Sequence, residues 1–179
     1  MLGGSNSDST PTPTPTPAAN TAYVDFESSV QTIRGFGGST AWISNLTAGQ
    51  ADILFGKSNI QEMGYSLLRV RIDPGGSANW GVELNNAQLA SARGASVFAT
   101  PWTPPASMKS NNNTVGGTLN PSSYGDYANY LESFVTYMAN RGVNLYAISL
   151  QNEPDAVVDY EFLAADRGLI RDLAAGKLL

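Results

Sequence analysis

The residues best suited to chemistry lie in "LYAISLQNEPD" (145–155), where an apolar run ends on Asn152-Glu153-Pro154. A lone glutamate is usually a surface residue, but this one follows a strand-like run directly. Pro154 keeps the preceding backbone extended, because a residue before proline avoids the helical region. A carboxyl held at such a strand end near aromatic rings can have a raised pKa and act as a general acid. Arg69 and Arg71 lie two apart in "SLLRVRIDP" and so share one strand face. Buried arginines need partners, and a carboxylate is the expected one. Trp42, Trp80 and Trp102 each follow a strand-like run. Aromatic faces beside a cleft can stack on the apolar C–H faces of sugars.

Composition narrows the chemistry. The 179 residues contain no His and no Cys, which excludes Ser-His-Asp catalysis, zinc-histidine sites and disulfides. Carboxylates remain as the obvious acid–base groups. A net charge of −5 argues against a nucleic-acid partner. No run is long and apolar enough to predict a membrane span.

These residues must be placed by an alternating chain. Residues 1–20, with "PTPTPTP" at 11–17, predict a disordered Pro-Thr linker of the kind that joins modules of secreted proteins. "MLGGSNSD" carries no apolar signal-peptide core. Strands are predicted over 30–38, 65–73, 95–101 and 143–151. Helices are predicted over 47–56, 82–94 and 121–142. Thr47 is a plausible N-cap and Gly56 a stop. Over 82–94 the apolar positions are Val82, Leu84, Leu89 and Ala92. The longest helix carries Tyr124, Tyr127, Ala128, Leu131, Phe134, Val135 and Met138 on one face.

Apolar strands alternating with helices predict an α/β fold with a parallel sheet covered on both faces. A doubly wound sheet would need a clearer phosphate loop than "GFGGSTAW". A (β/α)8 barrel gathers functional residues at the C-terminal ends of its strands. Gly37-Gly38, Arg69 and Arg71, Pro101-Trp102 and Asn152-Glu153 fit that pattern, and the Asn-rich loop 109–117 is expected on the same face.

"IRGFGGSTAW", "SLLRVRIDP", "FATPWTPPASMK" and "LYAISLQNEPD" occur in this order over residues 23–155. Together they resemble glycoside hydrolase family 30, in its bacterial endo-β-1,4-xylanase and glucuronoxylanase branch. The resemblance implies a TIM barrel and a retaining hydrolase acting on xylan, outside the cell. It implies that Glu153 is the general acid/base, that Asn152 binds the sugar 2-hydroxyl, and that Arg69 orients the nucleophile. It further implies that Trp102 walls the subsite at the scissile bond, with Trp42 and Trp80 matching cleft aromatics more loosely. A retaining mechanism needs two carboxyls about 5 Å apart and neither a metal nor an organic cofactor. The family's nucleophile ends strand seven, and no residue here matches it; Glu161 is not assigned that role. The expectation is therefore a barrel truncated to about its first four β/α units, inactive alone, with residues 156–179 a divergent or foreign tail. A non-catalytic carbohydrate-binding fragment and a β-1,6-glucanase or glucosylceramidase specificity are the alternatives.

Overall fold

The computed structural model describes residues 19–22, 27 and 30–152. The proposed tail, Glu153 and most of the Pro-Thr linker lie outside the described residues. The chain divides into residues 1–34 and 35–179, and the elements below belong to the second unit.

Four parallel strands form one sheet in the order β1-β2-β3-β4: Gly37–Ser39, Leu67–Ile72, Ser96–Pro101 and Ala147–Ile148. Helices α1 (Ala48–Phe55), α2 (Gly81–Ser91) and α3 (Tyr124–Ala139) fall between them. The strand order never reverses, as it would at the switch point of a doubly wound sheet. Sequential parallel pairing is the order of a (β/α) barrel wall.

Helix α1 starts as its sequence demands. Thr47 Oγ1 accepts from the Gln50 N–H at 3.2 Å, and Gln50 Oε1 accepts from the Thr47 N–H at 2.9 Å. This capping box satisfies two amides that a helix start otherwise leaves bare. Helix α3 buries six of its seven predicted face residues; Val135 is half-buried. A short 3-10 turn, Pro121–Ser123, leads into it, with proline suited to a helix entrance.

Three elements depart from expectation. The first strand begins at the glycines rather than ending on them. A Cβ on Gly37 would fall 1.8 Å from the Leu67 carbonyl oxygen, so β1 can approach β2 there only without a side chain. Helix α2 buries Glu83, Asn86, Ala87 and Ala90, whereas Val82 is exposed. The buried face is not the predicted apolar one, because two of its residues, Glu83 and Asn86, are polar. The fourth strand has only two residues in the ladder. Its neighbours still follow β3: the Tyr146, Ser149 and Asn152 amides donate to Val97, Ala99 and Pro101 carbonyls at 2.7, 2.9 and 3.1 Å.

The two sheet faces also differ. Leu68, Val70 and Ile72 of β2, with Val97 and Ala99 of β3, are buried in a core shared with the helices. Leu67, Arg69, Arg71 and Phe98 alternate onto the other face and are only half-buried. The core face is apolar, and the second face mixes Leu67 and Phe98 with the two arginines.

Candidate active site

The C-terminal ends of β2, β3 and β4 bring Arg69, Trp102 and Asn152 together. Arg69 Nε donates to Thr100 Oγ1 on β3 at 3.1 Å. Arg69 Nη2 donates to Asn152 Oδ1, just past β4. The guanidinium lies over the Trp102 ring, 4.4 Å from its centre. One side chain therefore links three strand ends and fixes the residue that precedes Glu153 in sequence. Asn152 is buried, so its carbonyl needs such a partner.

Beside this group stands a second pair. Arg71 lies over the Trp42 ring at 4.1 Å and forms an ion pair of 2.5 Å with Asp73. Trp42 and Trp102 meet edge to face at 6.0 Å, which joins the pairs into one surface. Arg71 is thus matched to Asp73 rather than to a catalytic carboxylate. Its Nε is buried with no hydrogen-bond partner among the described residues.

Trp42 is exposed and takes a left-handed backbone angle, φ +69°. That conformation is costly for a residue with a Cβ and is kept only where surroundings enforce it. The enforcement comes from α2. Glu83 accepts from Thr40 Oγ1 at 2.8 Å. Asn86 Oδ1 accepts from the Leu46 N–H at 2.7 Å, and Asn86 Nδ2 donates to the Ser44 carbonyl at 3.3 Å. Bonds on both sides of Trp42 hold the loop that presents it.

Trp80 departs from the expected cleft position. Its ring is 2% exposed and meets Tyr130, Phe134 and Tyr137 of α3 edge to face at 5.7, 4.9 and 5.2 Å. Its Nε1 donates to the Asp73 carbonyl at 3.0 Å. No face is left for a sugar, and the residue is core. The loop after β3 is likewise held from within. Buried Lys109 donates to Thr103 Oγ1 at 3.0 Å and to the Thr114 carbonyl at 3.3 Å.

Glu83 is the residue that sequence reasoning missed; a glutamate in a helix's first turn reads as a solvated charge. Burial raises its carboxyl pKa, against the opposing pull of Thr40 and Arg71. Burial opposes ionisation of Asp73 too, but Asn79, the Gly75 N–H and Arg71 outweigh it and hold that pKa low. The signs follow by linkage. Raised Glu83 binds its proton more tightly when folded, so its contribution to stability improves as pH falls through the folded value towards 4.5. Lowered Asp73 contributes stability above 3.8 that is lost as pH falls through its folded value. In urea unfolding across a pH series, Glu83→Gln is expected to remove the first slope and keep the second. An unchanged slope above pH 4.5 would exclude this assignment.

Comparison with known proteins places this arrangement. The model of the glycosyl hydrolase family 30 TIM-barrel domain matches residues 64–165, more than half of the chain. The chain belongs to glycosyl hydrolase family 30. It is 45% identical over 144 residues to glucuronoxylanase XynC of Bacillus subtilis (strain 168), covering 77% of this chain and 34% of that protein. It is 33% identical over 78 residues to the lysosomal acid glucosylceramidase of Mus musculus, covering 41% of this chain and 15% of that protein. Among solved structures, the family 30 subfamily 8 xylanase Xyn30A from Clostridium acetobutylicum superposes with a TM-score of 0.70 at 47% identity. That match covers 82% of this chain and 39% of Xyn30A. The chain spans about a third of the length of the glucuronoxylanases it matches. As a family 30 chain it shares its descent with glycoside hydrolases, and its four-stranded parallel sheet is part of a TIM-barrel wall.

Among the described residues, no helix is long and apolar enough to cross a membrane. No cluster of three potential metal ligands occurs among them either.

Proposed function

We propose that this chain carries the proton-donor half of a retaining endo-β-1,4-xylanase site, with Glu153 as general acid/base. The observation that supports it most is the Arg69–Asn152 bond, set over Trp102 at adjoining strand ends. The bond takes the carbonyl end of the Asn152 amide. Its nitrogen has no hydrogen bond among the described residues and is a donor suited to a sugar 2-hydroxyl beside the scissile bond. Trp102 offers an aromatic wall on which a neutral pyranose can stack. Glu153 follows Asn152 directly. A carboxyl there would donate its proton to the leaving oxygen and later take one from water.

Arg69, by its place beside Asn152, is the residue we assign to orient a nucleophilic carboxylate. Retention of configuration needs that second carboxylate about 5 Å from the first. No glutamate of these 179 residues matches it. On this reading the 179-residue chain binds xylan through Trp102 and Trp42 and does not cut it. The closer likeness to xylanases, 45% and 47% identity against 33% for a glucosylceramidase, favours xylan over a glucoside. So large a substrate fits a protein acting outside the cell, where the Pro-Thr segment would join it to other modules.

The test is reducing-sugar release from glucuronoxylan by the purified 179-residue chain, with tryptophan fluorescence to follow binding. Binding without release is the expected result. Turnover that disappears in Glu153→Gln would overturn the inactivity and keep the acid/base assignment. Turnover unaffected by that change would overturn the assignment itself.

A further inference from the structure

The Trp102–Trp42 surface does not end at Trp42. Beyond it, between the loops that follow β1 and β2, lies a cavity of about 670 Å³. Asn45, Arg71, Asp73, Asn79, Gly81 and Val82 line it. That volume lies within the roughly 300–1,000 Å³ usual for small-molecule sites. We infer that this cavity is an outlying sugar subsite that takes a neutral pentose unit of the xylan main chain rather than an acidic side group. The inference rests on the proposed xylan-binding reading and extends it away from the scissile bond.

Three observations carry it. The first is continuity. From Asn152 the surface runs through Arg69 to Trp102 at 4.4 Å, then to Trp42 at 6.0 Å, then to Arg71 at 4.1 Å, and Arg71 lines the cavity. A chain lying along these aromatic faces is led to the opening.

The second is the lining. Asn45 and Asn79 bring amides that both donate and accept, and Asp73 brings acceptors. Sugar hydroxyls also donate and accept, so a mixed lining suits them. Gly81 keeps one wall open, since a Cβ there would meet nothing within 4 Å.

The third is charge. Among the described residues Arg71 is the one cation lining the cavity, and its charge is already matched. Asp73 pairs with it at 2.5 Å, and the buried Glu83 carboxyl stands close enough to feel its charge. An incoming carboxylate would meet the Asp73 carboxyl beside a guanidinium that is already paired. A neutral ring meets no such repulsion.

The site is also preformed. Asp73 Oδ1 accepts from the Gly75 N–H at 2.8 Å and from Asn79 Nδ2 at 3.0 Å. The α2 bonds to Thr40, Ser44 and Leu46 fix the opposite loop. Little ordering would be needed on binding, which favours affinity.

The experiment compares xylobiose, xylohexaose and a xylohexaose bearing one glucuronate, each titrated into the 179-residue chain and followed by calorimetry. Val82→Trp fills the cavity from an exposed helix position, and Asn45→Ala removes an exposed amide. The expected result is tenfold weaker xylohexaose binding in Val82→Trp and about threefold in Asn45→Ala, with xylobiose unchanged in both. Glucuronate should not improve binding to the wild-type chain. Equal xylohexaose affinity in wild type and Asn45→Ala, or a glucuronate gain that Val82→Trp abolishes, would overturn the inference. Failure of all three sugars to bind the wild-type chain would overturn the xylan reading beneath it. Should Val82→Trp fail to fold, Asn45→Ala decides alone.

Discussion

Trp80→Ala is expected to lower the unfolding free energy by about 3–5 kcal/mol, the range for a large aromatic removed from a core. The indole touches three rings of α3 and bonds the Asp73 carbonyl. Truncation would leave a cavity between α2 and α3. It would also remove one of the two donors on that carbonyl, the other being the Tyr130 hydroxyl. Burial pushes the Tyr130 pKa up to about 12, so the hydroxyl stays protonated and keeps donating at neutral pH. Trp80→Phe should recover part of the loss, because it restores ring packing without the N–H. Chemical unfolding of the three proteins measures it. A loss below about 1 kcal/mol in the alanine variant would mean that the ring is not the buried anchor described.

Arg69→Ala is expected to cost about 2–4 kcal/mol of stability and at least tenfold in xylan affinity. Removal strands the buried Asn152 carbonyl, and an orphaned polar group costs about 1–3 kcal/mol. The cation over Trp102 adds about 0.5–2 kcal/mol. Lysine should not rescue the variant. Its ammonium has no planar fork with which to reach Thr100 and Asn152 from one position while covering an indole. Unfolding in urea and fluorescence titration with xylan give the two numbers. Full rescue by Arg69→Lys would show that charge alone matters, not the bridging geometry.

Much of this arrangement could be read in advance, for identifiable reasons. Thr47 and Gln50 advertise their helix because capping is local chemistry. The α3 face is legible because its buried residues are apolar at regular spacing. The Arg69, Trp102 and Asn152 grouping was legible because barrels place strand ends together. What was hidden depends on contacts distant in sequence. Nothing around Trp80 distinguishes a loop tryptophan over a cleft from one turned into α3, fifty residues later. Glu83 and Asn86 look like solvent-facing positions until Thr40, Ser44 and Leu46 are folded against them. Gly37 and Gly38 look like punctuation after a strand, yet Gly37 sits inside one because Leu67 approaches its backbone so closely.

The arginine that ties β2 to the end of β4 also sets an order in time. Arg69 and Asn152 are 83 positions apart, so at about 5–20 residues per second a ribosome makes one several seconds before the other. Each strand in the sheet pairs with the one synthesised just before it. Thr100 and Trp102 are made before Asn152, so Arg69's last bond must wait for the Asn-Glu-Pro segment to emerge. Asn152 is thus the last of Arg69's three partners to be made, and this end of the sheet is completed in the direction in which the chain is made.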